Sequence, residues 1–216
     1  MKNKRADAFC PGEVMTQKEL HRIFTDPPTL KTERLWLRKI GVTDADDMYS
    51  YSSREDVTRF LLWDAHPDPL YTEQYIRYLQ ERYAVGDFYD YAIVLRENGR
   101  MIGTVGFTTF DLPNYSAELG YVVSPEYQGR GYATEAVSAL IAFGFEKCDL
   151  ARISAVCMEE NVASLRVMEK CGLKREGLLR NAVYAKGEMR DVYLSAITNQ
   201  DYFSRACISA ANYLQS

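Results

Sequence analysis

The sequence has 216 residues, of which 47% are hydrophobic and 26% charged, and its formal net charge is −4. This is the composition of a soluble globular protein, and a chain of this length can form one domain without a stabilising metal or disulfide. The negative charge argues against a nucleic-acid partner, because the one short basic cluster, residues 2–5, lies in the terminus.

Five cysteines are scattered through the chain without C-x-x-C spacing, which predicts reduced thiols and a cytoplasmic location. The two histidines, His21 and His66, lie near no cysteine pair, so we expect no metal site. The N-terminus lacks the apolar segment of a signal peptide, and no apolar run approaches the roughly 18 residues of a membrane span. We therefore expect no membrane partner.

Residues 1–30 are interpreted as an N-terminal appendage. Thr16 and Glu19 have the spacing of a capping box for a short helix through Phe24, and the Asp-Pro-Pro sequence at 26–28 ends it. The main domain is expected to span residues 31–197. Residues 198–216 predict an amphipathic helix, opened by Thr198 and Asp201, that packs on this domain.

Within the main domain, alternating apolar residues and turn signals predict seven strands and the helices between them. The strands lie near 35–40, 91–96, 100–108, 116–123, 152–157, 173–182 and 189–197. Helices are expected at about 45–52, 71–83, 133–145 and 161–170. Glu97-Asn98-Gly99 supplies a hairpin turn, so the second, third and fourth strands form a meander.

The segment from Pro125 to Phe145 is the most informative part of the chain. From Ala133 onward, small and apolar residues recur with the period of one helical face. The residues just upstream, Gln128 to Gly131, occupy the helix N-terminus, where backbone N–H groups are unpaired and the helix dipole is positive. Such an end binds phosphate, and Arg130 can add charge-assisted hydrogen bonds.

Two other interpretations of these glycines stay open at this point. They can simply let the chain turn into a helix, or they can form part of a Rossmann loop. Gly129 and Gly131 give a partial G-x-G, but the third glycine is replaced by Thr134. Four residues, 124–127, also separate the preceding strand from the first glycine, whereas a Rossmann turn follows its strand directly.

The sequence QGRGYA, Gln128 to Ala133, resembles the Q/R-x-x-G-x-G/A acetyl-CoA signature of the GCN5-related N-acetyltransferase (GNAT) superfamily. TERLWLR at 32–38 and AELGYVV at 117–123 resemble two strands of its RimJ/RimL-type branch, which acetylates protein N-terminal amines. NVASLRVMEKCGL at 161–173 resembles a helix of that branch, and EGLLR with KGEMRDVYLS resembles its closing hairpin. The resemblance covers roughly residues 30–195.

The resemblance implies an α/β fold of the acyl-CoA N-acyltransferase type. Its mixed sheet has about seven strands, is splayed between the fourth and fifth strands, and is flanked by helices. The resemblance also implies acetyl-CoA as co-substrate. The cofactor-binding residues carried over are Val122, Val123, Gln128, Gly129, Arg130, Gly131, Tyr132, Ala133 and Asn161.

The implied activity is direct transfer of an acetyl group to a primary amine, with an α-amino group of a protein N-terminus, peptide or amino acid as the leading acceptor. A small-molecule amine, such as an antibiotic or polyamine, is the second interpretation. A non-catalytic acyl-CoA-binding sensor is the third. A homodimer is one assembly that the sequence leaves open.

Glu118 is the candidate general base, because burial beside an apolar sheet would raise the pKa of its carboxyl group. An exposed or salt-bridged glutamate is the plain alternative. The tyrosine that serves as acid in many superfamily members corresponds to Met168, whose thioether cannot donate a proton. Ser164, one turn earlier on the same helix face, is the nearest hydroxyl and the second catalytic candidate, although it could simply bond backbone.

Asn161 is expected both to cap its helix and to contact the pantetheine arm. The acceptor pocket is expected between the aromatic loop at 60–69 and the turn Tyr184 to Gly187. Neither segment carries a motif that identifies the acceptor.

Overall fold

A computed structural model describes residues 15–205 of the chain. The helices are α1 (Gln17–Thr25), α2 (Ala45–Ser52), α3 (Glu55–Thr58), α4 (Pro69–Val85), α5 (Tyr132–Lys147), α6 (Val162–Cys171) and α7 (199–205). The strands are β1 (Leu30–Lys31), β2 (Leu35–Arg38), β3 (Asp90–Leu95), β4 (Met101–Asp111), β5 (Ser116–Val123), β6 (Arg152–Met158), β7 (Lys174–Ala185) and β8 (Glu188–Thr198).

The strands form one mixed sheet in the order β1-β2-β3-β4-β5-β6-β8-β7. Neighbouring strands are antiparallel except for β5 and β6, which are parallel. The expected mixed α/β sheet flanked by helices is confirmed. The structure has one strand more than the seven expected. This strand, β1, was not predicted because its two residues are too few to show a period of two.

The sheet is splayed between β5 and β6, as expected. The two strands pair only where Ser116–Glu118 lie beside Arg152–Ser154. From Leu119 onward β5 has no β6 partner, whereas β6 continues to pair with β8 as far as Met158. One edge of β5 is therefore open, and its backbone groups can pair with a ligand.

Alternation along the central strands creates two apolar cores, one on each face of the sheet. On β5, Leu119 and Val123 point into the main cluster, which includes α1, α5 and α6, while Val122 packs against the second cluster beneath α2 and α4. On β3, Tyr91 and Ile93 join the main cluster and Ala92 joins the second. The same strands thus carry two differently lined faces.

Both terminal helices begin with the capping boxes that the sequence predicts. The Glu19 N–H donates to Thr16 Oγ1 at 3.3 Å, and the Thr16 N–H donates to the Glu19 carboxylate at 2.8 Å. At α7, the Asp201 N–H donates to Thr198 Oγ1 at 3.2 Å, and that hydroxyl donates back at 3.0 Å. The rest of the predicted C-terminal helix, residues 206–216, lies outside the described residues.

The helix α1 packs on the main core through Leu20 and Phe24, both fully buried. A division of the chain at residues 30 and 197 stays a prediction. Within residues 15–205, no helix combines the length and the apolar character needed to cross a membrane.

Candidate functional site

The loop between β5 and α5 presents unpaired backbone N–H groups. Gly129 and Gly131 have φ angles of 74° and 83°, in the left-handed region that favours glycine. Gly131 is the N-cap residue of α5, and no side chain caps this end. A Cβ atom on Gly129 would meet no other atom within 4 Å. The N-terminal turn of α5 is therefore accessible to an anion.

The other predicted cofactor-binding residues surround this loop. Gln128 Nε2 donates to the Val123 carbonyl at 2.9 Å, which fastens the loop to the end of β5. Arg130 is exposed, with its guanidinium carbon 5.6 Å from the ring centre of Tyr127. Half-buried Tyr132 and Ala133 pack against the main cluster, as does Tyr127.

Arg34, which sequence reasoning missed, holds the loop in place from the bend that precedes β2. Its Nη1 donates to the Arg130 carbonyl at 3.0 Å, and its Nε donates to Glu135 at 2.7 Å. Its guanidinium carbon lies 4.5 Å from the ring centre of Tyr132. Burial opposes ionisation of Glu135, but hydrogen bonds from Thr32 and Arg34 outweigh it, and the pKa of Glu135 is lowered.

Glu118 is the last residue of β5 that pairs with β6, so it stands where the splay begins. Its side chain is on the face opposite Leu119, because residues alternate along a strand. Thr108 Oγ1 donates to Glu118 Oε1 at 3.3 Å. Burial raises the pKa of Glu118 above its ordinary value, although the hydrogen bond from Thr108 opposes the shift. Such a carboxylate can accept a proton from an ammonium group.

Ser164 lies in the first turn of α6, and its N–H donates to Asn161 Oδ1 at 3.1 Å, so Asn161 does cap this helix. Ser164 Oγ is 2.8 Å from the Tyr121 hydroxyl. Burial raises the pKa of Tyr121, so this phenol stays protonated. Met168 is buried in the main cluster. The same hydroxyl is 3.1 Å from the Ser164 carbonyl, which can also accept its proton. When the Tyr121 hydroxyl donates to Ser164 Oγ instead, the serine proton is free for another acceptor.

Tyr121 reaches Ser164 from β5, on the opposite side of the splay. Sequence reasoning sought a proton donor only on α6 and therefore missed it. The alternation that places Ala117 and Leu119 in the main cluster also places Tyr121 on that face, and this was the available signal.

A cavity of ≈ 560 Å³ lies on the second face of the sheet, beneath the aromatic loop. Its lining includes Tyr51, Trp63, His66, Tyr75, Asp90 and Val122. The loop is fixed by buried His66, whose Nδ1 is 3.0 Å from Ser52 Oγ and 2.8 Å from Thr72 Oγ1. Lys186, in the turn between β7 and β8, donates to the Trp63 carbonyl at 2.6 Å. The two segments expected to frame the acceptor pocket are thus in contact.

Asp90, a second residue missed from the sequence, lies in the floor of this cavity. It pairs with Gly106 of β4, which in turn pairs with Gly120 of β5. A Cβ atom on Gly106 would lie 2.0 Å from Asp90 Oδ1, so the carboxylate stands over this glycine. Burial raises the pKa of Asp90 to about 7.

Between residues 15 and 205, no three His, Cys, Asp or Glu side chains form a group that could hold a metal ion. The site is instead built from two openings that meet at β5. The splay and the uncapped N-terminus of α5 lie on one side, and the aromatic cavity lies on the other. An open strand edge and an accessible helix end fit the amide-containing arm and the diphosphate of acetyl-CoA.

The profile of the Acetyltransferase (GNAT) domain family matches residues 34–174. The uncharacterized N-acetyltransferase p20 of Bacillus licheniformis is 35% identical over 174 residues, which cover 81% of this chain and 98% of that protein. The chain therefore belongs to the GNAT acetyltransferase family. It is an acetyl-CoA-dependent N-acetyltransferase.

Two further relatives have names that specify an acceptor. The structure of a putative ribosomal-protein-serine acetyltransferase from Vibrio cholerae has a TM-score of 0.71 and 28% identity, covering 80% of this chain and 98% of that one. The spermidine N(1)-acetyltransferase of Escherichia coli (strain K12) is 27% identical over 111 residues, 51% of this chain and 60% of that protein. A putative ribosomal-protein acetyltransferase and a spermidine acetyltransferase are thus both among the distant relatives.

Replacing Arg34 with alanine should weaken the binding of coenzyme A. The variant loses the contacts that fix the Arg130 carbonyl and Glu135. Part of the binding energy of coenzyme A must then be used to order the loop. We expect a loss of about 3- to 10-fold in affinity, or roughly 1 kcal/mol, measured by isothermal titration calorimetry. Arg77→Ala, which removes an exposed ion pair with Glu73 on α4, is the matched control. Equal affinity in both variants would contradict the assignment.

Proposed function

We propose that this protein transfers the acetyl group of acetyl-CoA directly to a primary amine, with an α-amino group of a protein N-terminus, peptide or amino acid as the leading acceptor. The observation that supports this best is the position of Val122. It lies on the splayed part of β5 and also lines the aromatic cavity. A donor held in the splay and an acceptor held in the cavity would therefore meet at one strand.

Acetyl-CoA supplies a thioester, and the protein must bind and orient it. We assign the diphosphate to the backbone N–H groups from Gly129 to Ala133 together with the Arg130 guanidinium, because the Gln128 N–H already donates to the Pro125 carbonyl at 3.2 Å. The open edge of β5 near Val122 and Val123 would receive the pantetheine amides. Asn161, whose Oδ1 caps α6, still has a side-chain amide group that can donate to the same arm.

Glu118 is proposed as the group that takes the proton of the acceptor amine. An α-amino group with a pKa of about 7.7 to 8.0 is neutral in roughly one of seven molecules at pH 7, whereas a lysine side chain near 10.4 is neutral in about one of 2,500. An α-amine therefore needs less help from a base than a lysine side chain does. The modestly raised pKa of Glu118 suits this demand.

Ser164 is proposed as the donor of the proton that the departing sulfur needs. Tyr121 is its positioning residue, because a phenol that donates to Ser164 Oγ directs the serine proton away from itself. This pair would replace the tyrosine whose place on α6 is taken by Met168. No covalent acyl-enzyme is involved, since buried Cys171 has a pKa raised by burial and is a poor nucleophile.

A small cationic amine is the second candidate acceptor. The observation in its favour is the cavity itself, which is roofed by the aromatic loop and has the carboxylate of Asp90 in its floor. A folded protein surface could not enter such a space, although a flexible N-terminus could.

A screen of acceptors tests the proposal. Release of coenzyme A is followed with acetyl-CoA and a panel of amino acids, N-terminal peptides, polyamines and aminoglycosides. Faster turnover of α-amines would support the leading acceptor, and faster turnover of small polycations would favour the second. Binding of coenzyme A without any turnover would instead indicate an acyl-CoA sensor.

Glu118→Gln should lower kcat by about 100-fold, in the range typical of a lost general base. A base works only when deprotonated, so the wild-type rate should fall as pH drops through the raised pKa of Glu118. This acidic limb should be absent in the variant. The pH dependence of kcat for both proteins provides the measurement, and an unchanged profile would remove Glu118 from the mechanism.

Tyr121→Phe should reduce kcat by about 10-fold while leaving the KM for acetyl-CoA nearly unchanged, because it removes one hydroxyl from a proton-donating pair. Combining it with Ser164→Ala should cost little more than Ser164→Ala alone, since the two groups act as a unit. Tyr193→Phe, which removes an exposed hydroxyl bonded to Glu159, is the control and should keep full activity. Additive losses in the double variant would argue against the pair.

A further inference from the structure

The aromatic cavity contains the carboxylate of Asp90, which no basic side chain among residues 15–205 contacts. Two acidic residues line the cavity, Asp64 and Asp90. The side chain of Asp64 is 92% exposed and forms an ion pair with Lys186. The side chain of Asp90 is half-buried in the floor of the cavity, and within residues 15–205 no side chain or backbone N–H group donates a hydrogen bond to its carboxylate. A carboxylate removed from water without a partner is costly, so it either takes up a proton, as its raised pKa shows, or pairs with a cation that enters the cavity.

The rest of the cavity also favours a cation. Among residues 15–205, no lysine or arginine lines it, and Lys186 at its rim is paired with Asp64. His66 is neutral near pH 7, because burial lowers its pKa. The walls include Tyr51, Tyr75 and Phe88, whose ring faces attract positive charge. Burial raises the pKa of Tyr75 to about 12, so this phenol stays neutral and its oxygen can accept a hydrogen bond from an ammonium group.

The carboxylate of Asp90 lies at a distance from the open edge of β5, where the acetyl group would be transferred. Its carboxylate stands over Gly106 on β4, one strand away from β5. Neighbouring strands are about 4.8 Å apart, so the open edge of β5 is roughly 5 to 10 Å from this carboxylate. Gly106 and Gly120 add no side chains to the floor between them. The Thr108 methyl group lies over Gly120, and the cavity reaches β5 past Thr104 and Val122, which both line it, so the distance from Asp90 to the splay corresponds to several bonds.

We propose that Asp90, with Tyr51, Tyr75 and Phe88, forms a subsite for a second positively charged group of the acceptor, a few bonds from the amine that is acetylated. This rests on the proposed function, since it requires the acceptor to bind in this cavity. The shared chemistry is a dication. Its source is either a linear diamine or an α-amine whose own side chain carries a positive charge.

The wild-type protein provides the first test. Acetylation of 1,3-diaminopropane, 1,4-diaminobutane and 1,5-diaminopentane is compared with that of propylamine, butylamine and pentylamine. For α-amine acceptors, acetylation of lysinamide is compared with that of norleucinamide, which lacks the side-chain charge. We expect each dication to exceed its matched monoamine by about 100-fold in kcat/KM. The larger ratio of kcat/KM between dication and monoamine shows whether a linear diamine or a cationic α-amine is the better acceptor.

The second test removes the charge with little change of shape. Asp90→Asn should lower kcat/KM for dications by about 100-fold and leave the monoamines within about 3-fold of wild type. Asp64→Asn, which neutralises the other acidic lining residue, should retain the preference for dications. Thermal unfolding of each variant confirms that it is folded. Stabilisation of the protein without coenzyme A by 1,4-diaminobutane, but not by butylamine, is a readout that needs no turnover.

Two results would overturn the subsite. One is equal use and equal binding of dications and monoamines by the wild-type protein. The other is an equal loss for both classes in Asp90→Asn, which would place Asp90 at the reacting amine itself. A protein that binds diamines through Asp90 but acetylates no amine would contradict the proposed function and support the subsite. Acetylation of monoamines and dications at equal rates would support the proposed function and contradict the subsite.

Discussion

The parting of β5 from β6 is the constraint on which the rest of the structure depends. A strand that loses its neighbour exposes unpaired N–H and C=O groups, and burying them without partners would be costly. The fold keeps this edge open by fixing both of its sides. β6 is paired with β8 along its whole length, and β5 is paired with β4. On the main-core face, the hydrogen bond between Tyr121 and Ser164 connects the two sides.

One strand can serve two substrates because its side chains alternate. Tyr121 faces α6 and the main core, whereas Glu118 and Val122 face the side of the cavity. Burial raises the pKa of both ionisable groups on β5, but with opposite consequences. It makes the carboxylate a better base and keeps the phenol protonated. The proposed proton acceptor, Glu118, and the hydroxyl of Tyr121 that bonds to Ser164 thus lie on opposite faces of one strand.

The sequence predicted those parts of the fold that depend on local patterns. Two capping boxes, the Asn161 cap and the glycine-rich start of α5 are determined by residues within a few positions of one another. Arg34 and Asp90 were not predicted as site residues, because the residues beside them in the fold lie far away in the sequence. The register that places Asp90 over Gly106 is a property of paired strands, and an isolated Asp at the start of β3 gives no sign of it.

The burial of Asp90 has a thermodynamic consequence for the whole chain. Its folded-state pKa of about 7 exceeds the ordinary value of 3.8, so the folded protein binds the proton more tightly than the unfolded chain does. Stability must then fall as pH rises from the ordinary value towards 7, by up to about 1.4 kcal/mol for each pKa unit, less whatever solvent in the cavity screens. A bound cation would restore this loss by stabilising the ionised carboxylate. The same carboxylate that destabilises the empty cavity at neutral pH would therefore supply binding energy for a cationic acceptor.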